Sequence, residues 1–191
     1  ERLGLGEKVI RARNPEIIYC SISAYGGDGP IGHRPAYDHV VQAMSGIMST
    51  TGTEEMGPTK VGAPYIDYAT GLNSAFAILA ALLEKNRTGK GQLVDISMLD
   101  TALNLMANNL VTVATTGRDM PKLGNEAASR APSSGCFETM DGSLLMLAAN
   151  NENQFLSVCK ALGGEWWLSD SRWMTPTARV ANQESLRAEM S

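Results

Sequence analysis

The 191 residues contain no Cys-x-x-Cys pair and no Cys/His cluster. The three cysteines, Cys20, Cys136 and Cys159, are odd in number and far apart, which argues against structural zinc and against a disulfide framework. They read as reduced, mostly buried thiols in a reducing compartment. No long run of one charge occurs, and the net charge is only −4, so neither nucleic acid nor an anionic membrane is expected as the main partner. The longest apolar stretch, Phe76 to Leu83, is far shorter than the roughly 20 residues a bilayer span needs. The opening Glu1-Arg2-Leu3-Gly4 has no initiator Met and no apolar signal-peptide core. It reads as a piece of a longer protein. Any organellar targeting segment would precede it, and the expected location is cytoplasmic.

What is present suits a globular protein, with a hydrophobic fraction of 43%. Residues 1–13 read as a short helix ending before Asn14-Pro15. Ile17 to Ser23 is a β-branched and aromatic run between Pro15 and Gly26, the pattern of a buried strand. A loop with four glycines and two prolines follows, from Gly26 to Pro35. Helical spacing over Asp38–Thr50 places Val40, Val41, Met44, Ile47 and Met48, with Asp38 as N-cap. Ile66 to Asn86 is the clearest helix. Leu72, Ala75, Phe76, Leu79, Leu82 and Leu83 form its expected core face, and its small residues allow close backbone packing. Leu93 to Met98 reads as a second strand and Leu99 to Ala114 as a helix. This alternation predicts an α/β fold with parallel strands. After residue 117 the texture changes to a Gly/Pro-rich linker, then a hairpin about Asp141-Gly142, a helix over Asn153–Leu162 and a polar tail anchored by Trp166, Trp167 and Trp173. The expected boundary separates 1–117, the later portion of a large α/β domain, from 118–191, a linker and the start of a smaller α+β domain.

Gly27-Asp28-Gly29-Pro30-Ile31-Gly32 spells a dinucleotide-binding fingerprint after a strand. That motif needs a helix opening inside the glycine run, so that its amides face a pyrophosphate. Pro30 removes one amide and Pro35 would break the first turns, so a tight irregular loop is expected instead. Asp67 stands at the start of the small-residue helix. It can serve there as a cap held ionised by free amides and the helix dipole. An ionised, positioned carboxylate can also be a nucleophile toward an activated acyl group. His39 could act as a general base, but its place on an exposed face favours a solvated histidine.

The ordered blocks Asn14-Pro15, Tyr25-Gly26, Arg34-Pro35-Ala36-Tyr37-Asp38, Gln42-Ala43-Met44-Ser45-Gly46, Asp67-Tyr68-Ala69-Thr70-Gly71-Leu72, Thr88-Gly89-Lys90-Gly91-Gln92 and Asp141-Gly142 resemble the class III CoA-transferase family, which includes formyl-CoA and carnitine CoA-transferases and acyl-CoA racemases. The resemblance runs over nearly the whole chain. It implies a Rossmann-like large domain, present in part, and an interlocked homodimer. It also implies coenzyme A or acyl-CoA and a small carboxylic acid as substrates, with no metal.

On that resemblance Asp67 is the nucleophile, passing through an aspartyl anhydride and an aspartyl-CoA thioester. Amides at the helix start could stabilise the oxyanions. Tyr37 lines the CoA site near the thioester, and Asp38 matches an acidic position beside the reacting carboxylate, so both are assigned to CoA binding. The segment Gly124–Gly135 falls where family members carry a loop over the active site, but it lacks the consecutive glycines of the formyl-CoA enzymes. Two other functions compete. Family racemases place a His where Tyr37 stands, and a Tyr carries protons poorly at neutral pH. A non-catalytic role in assembly is the second, since the family's N-terminal and C-terminal parts are missing from this sequence.

Overall fold

Two parallel strands tie the first part of the chain together. Strand β1, Tyr19–Ser23, pairs with β2, Leu93–Ser97, from Tyr19 against Leu93 to Ser23 against Ser97. A parallel pair requires a long crossover. Here it is built from α2 (Asp38–Met44), α3 (Ile47–Thr50) and α4 (Tyr65–Thr88), while α1 (Glu7–Arg13) precedes β1 and α5 (Met98–Leu105) and α6 (Ala107–Thr116) follow β2. The computed structural model describes residues 3–191, and the chain divides into two compact units, Glu1–Lys122 and Leu123–Ser191. The mixed fold with parallel strands agrees with the sequence expectation.

Val41, Ile47, Ile66, Met98 and Ala102 form the core of the first unit, with Tyr65 and Met106 packed against it. Ser97 caps α5: its hydroxyl accepts the Asp100 amide at 2.9 Å and donates to the Asp100 carboxylate at 2.7 Å, a cap worth about 1 kcal/mol. Gly89 ends α4 in the left-handed region at φ 71°, which glycine enters without a Cβ penalty. Two residues on, a Cβ at Gly91 would lie 2.0 Å from the Ile17 carbonyl oxygen, so the backbone approach there requires glycine.

Several expectations need correction. The helix expected over Asp38–Thr50 is two helices, because Gly46 takes φ 86° between them. The helix over Leu99–Ala114 is likewise interrupted at Met106, whose φ −91° and ψ 6° leave the helical region. The described helical residues near the N-terminus begin at Glu7, and residues 1–2 of the expected first helix lie outside the described residues. Strand β1 is only half-buried, with Ile22 exposed, since its sheet has two strands here.

The largest revision concerns α4. Its expected core face is the outer one: Leu72, Ala75, Phe76, Leu79, Leu82 and Leu83 are all exposed. The buried side is Ile66, Thr70, Ser74 and Ala81. Thr70 and Ser74 tolerate burial because each hydroxyl donates to the carbonyl four residues earlier, at 2.7 Å. No atom approaches the missing Gly71 Cβ within 4 Å, so the expected close backbone packing does not occur there. By length and composition alone α4 could cross a membrane, with a mean hydropathy of 1.4. The apolar character extends N-terminally beyond Phe76–Leu83 because Ile66, Ala69, Leu72 and Ala75 outweigh the few polar residues among them, of which only Asp67 is charged.

In the second unit, β3 (Ser134–Glu138) and β4 (Leu144–Ala148) form the expected antiparallel hairpin. Asp141 organises its turn by accepting the Thr139 hydroxyl and the Ser143 amide, and Gly142 supplies φ 78°. Helix α7 (Glu152–Leu162) opens on a capping box between Asn151 and Gln154. The tail is more ordered than its polarity suggests. It forms a 3-10 turn at Glu165–Leu168 and helices α8 (Pro176–Ala181) and α9 (Gln183–Met190). Phe155, Cys159, Trp167, Trp173 and Leu186 pack into its core, whereas Trp166 remains exposed. Arg179, itself buried, donates to the Trp173 carbonyl at 3.0 Å, pairs with Glu152 and stacks over the Phe155 ring.

Candidate active site

Tyr37 is the extended residue at the mouth of α2 and Asp38 the first helical one. This local geometry separates their side chains. Tyr37 is 78% exposed, while Asp38 is only 7% exposed. Asp38 is therefore not the cap of its own helix, as the sequence suggested. One of its oxygens, Oδ2, accepts the amides of Ile66 at 2.8 Å and Asp67 at 3.2 Å. It caps α4 from another element, because Pro64 at the N-cap of α4 has no side-chain acceptor. The other oxygen accepts Gln42 Nε2, and Gln42 Oε1 accepts the Val61 amide at 2.8 Å.

Asp67 itself is exposed. Among the described residues its carboxylate accepts no hydrogen bond, so it does not act as the helix cap. The negative charge that holds the first-turn amides belongs to Asp38. This overturns the expectation that those amides serve developing oxyanions. Ile66 N and Asp67 N are occupied by Asp38, Tyr65 N donates to the Ala63 carbonyl and Tyr68 N to the Pro64 carbonyl. The start of α4 has no donor to spare.

Burial, and then the Asp38 charge, push the Tyr65 phenol above its usual pKa. The His39 ring lies parallel to Tyr37, with centroids 6.2 Å apart, and is solvent-exposed. A groove of about 430 Å³ is lined by Ser23, Ala24, His33, Arg34, Pro35 and Met98 among others, and runs up to the residue before Tyr37. Asp67 is not part of its lining. Residues 24–37, which carry the glycine pattern, contain no helix, so no helix terminus faces a pyrophosphate there. Among the described residues no group of three or more His, Cys, Asp or Glu side chains gathers as a metal site.

The structure thus brings Asp38 and the Asp67 backbone together, keeps Tyr37 at the adjoining surface and leaves His39 outside. Sequence reading missed Gln42 and Val61. The Asp38/Gln42 spacing of four on one helix was a usable signal, but the link to Val61 needed the loop's path.

The model of CoA-transferase family III matches residues 1–191. The chain belongs to CoA-transferase family III. Among its relatives in this family is a succinate–glutarate CoA-transferase of Agrobacterium fabrum, 38% identical over 190 residues, covering all of this chain and 47% of the relative. An acetyl-CoA:oxalate CoA-transferase of Acetobacter aceti is 35% identical over 191 residues, again covering the whole chain and 49% of the relative. The crystal structure of a CaiB/BaiF family protein from Brucella suis superposes with a TM-score of 0.87 at 34% identity, over 99% of this chain and 50% of the other. The chain spans about half the length of the family III relatives it matches.

Proposed function

We propose that the full-length protein transfers coenzyme A from an acyl-CoA donor to a small carboxylic acid, and that Asp67 carries the acyl and CoA groups in turn. The observation that carries this reading is the exposed Asp67 carboxylate, free of hydrogen bonds among the described residues, on a helix start whose backbone is held by Asp38. A carboxylate so placed is open to a thioester and is not stabilised by capping bonds that attack would have to break.

The steps balance without an outside reagent. Asp67 Oδ attacks the donor carbonyl carbon, the C–S bond breaks, and CoA thiolate leaves behind a mixed anhydride. The thiolate attacks the Asp67 side-chain carbonyl carbon, the anhydride C–O bond breaks, and the donor acid departs from an aspartyl-CoA thioester. The acceptor carboxylate then attacks that thioester and releases thiolate. The thiolate finally takes the acceptor acyl carbon, giving the new acyl-CoA and restoring Asp67. Tyr37, projecting beside the groove, contributes to the CoA site. Asp38 holds protein backbone instead of CoA, which revises the binding role implied by the resemblance. Relatives named for glutarate and oxalate support a dicarboxylic acid as acceptor. The working unit is a homodimer.

The test is CoA transfer by the full-length protein across a panel of acyl-CoA donors and mono- and dicarboxylic acids in deuterated water. New acyl-CoA that disappears in Asp67→Asn is expected. Deuterium entering the α-carbon of the acyl-CoA with no transfer would identify a racemase instead.

A further inference from the structure

We propose that Gln42 and Asp38 form a positioning latch that sets the Asp67 carboxylate for attack, an inference that rests on Asp67 being the nucleophile. Gln42 is 1% exposed and Asp38 7%, so neither side chain can exchange its partners for water. Apart from the bond between them, their side-chain bonds all reach one short stretch of chain. Gln42 holds Val61 through its amide, and Asp38 holds Ile66 and Asp67 through theirs. The Gln42–Asp38 contact closes the set. Two side chains from successive turns of α2 thereby grip the 61–67 segment on both sides of Pro64. This segment delivers the candidate nucleophile, and it has no side-chain cap of its own.

The latch also sets one residue against another. Asp38 directly follows Tyr37 in the chain, so the residue whose carboxylate holds the Asp67 backbone also fixes the backbone from which the exposed ring projects. Tyr37 and Asp67 are held in one frame through a single buried group. Loss of Gln42 would orphan the Val61 amide and remove the donor from Asp38 Oδ1, and a buried carboxylate with fewer donors is costly. The 61–67 segment would relax, while Val41 and Ile66, packed in the apolar core, still hold α2 near α4. The expected consequence is a folded protein with a displaced nucleophile. An ordinary structural bond predicts something else: lower stability, and full reactivity in the molecules that remain folded.

The experiment uses the full-length protein with acetyl-CoA as probe. It measures single-turnover formation of the Asp67 adduct by mass spectrometry, the acetyl-CoA Kd by titration calorimetry, and amide exchange at Ile66 and Asp67. Gln42→Leu keeps the volume and removes both polar arms. It is expected to slow adduct formation by about 100-fold, the cost of a displacement near 1 Å, with Kd within about twofold and faster exchange at both amides. Asp38→Asn keeps an acceptor oxygen for those amides and should fall between Gln42→Leu and wild type; it carries the test if Gln42→Leu does not fold. Wild-type adduct kinetics in folded Gln42→Leu, or unchanged exchange at Ile66 and Asp67, would overturn the latch. Absence of any adduct in the wild-type protein would instead overturn the transferase reading, and the exchange rates would still decide whether the latch holds the helix start.

Discussion

Tyr37 and Asp38 are neighbours that point opposite ways, one ring out in solvent and one carboxylate sealed inside. The change from extended to helical backbone between them produces this split. It assigns different work to two residues that the family resemblance placed together at the CoA site. Tyr37 has little to contribute to stability, since its ring is mostly hydrated.

Tyr37→Ala should therefore leave the thermal midpoint nearly unchanged, within about 0.5 kcal/mol as for other surface positions. Acyl-CoA affinity should weaken by about tenfold, equivalent to about 1.4 kcal/mol. Calorimetric titration with acetyl-CoA alongside a thermal melt separates the two effects. Unchanged affinity would remove Tyr37 from the binding site.

Gly91→Ala should destabilise the protein by about 3 kcal/mol or more, toward the upper end of overpacking costs. The new Cβ would meet the Ile17 carbonyl at 2.0 Å and Glu16 C at 2.5 Å. These are backbone atoms that cannot rotate away. Denaturant unfolding of the two proteins measures the difference directly, and a cost under 1 kcal/mol would mean that the 15–18 segment yields easily.

The strands, the parallel pairing, the Asp-Gly hairpin and helix α7 were legible because each carries its own local signal: β-branched runs, a turn dipeptide, a cap with an amphipathic period. The orientation of α4 was not. Its most apolar face is the exposed one, and a burial rule applied to Leu72, Phe76 and Leu83 picks the wrong side when polar Thr70 and Ser74 can satisfy themselves on their own helix. Asp67 stood out by resemblance. The role of Asp38 did not, because a cap supplied across 28 residues leaves no mark in local spacing. The ordered tail was hidden for a similar reason. Its stability rests on Arg179 bonding and stacking inside an aromatic cluster, and an arginine in a polar stretch reads as surface.

Arg179→Met follows from that cluster. It preserves an apolar stem but leaves the Trp173 carbonyl without its donor and removes the contact with Phe155 and Glu152. A loss of about 2 kcal/mol is expected from the orphaned buried acceptor, discounted for Glu152, which remains half in water. Chemical denaturation with tryptophan fluorescence reports it through Trp167 and Trp173. A neutral effect would show that the carbonyl finds another donor.

Cys159 is fully buried, and burial raises its thiol pKa above the ordinary value. The folded state therefore keeps its proton where the unfolded chain would begin to lose it. The stabilising contribution is complete below the unfolded thiol's pKa and declines as pH rises above it. Alkylation of Cys159 by iodoacetamide at mildly alkaline pH should await unfolding, and should accelerate with denaturant in step with the unfolding transition. Rapid labelling of the folded protein would show that the Phe155–Trp173 cluster opens locally.

Trapping the covalent intermediate tests the central claim most directly. Full-length protein is incubated with acyl-CoA, quenched with hydroxylamine or borohydride, digested and mapped by mass spectrometry. A hydroxamate or alcohol confined to Asp67, dependent on acyl-CoA and missing from Asp67→Asn, is the predicted result. An unmodified Asp67 in protein that is transferring CoA, or a modification on a different side chain, would contradict it.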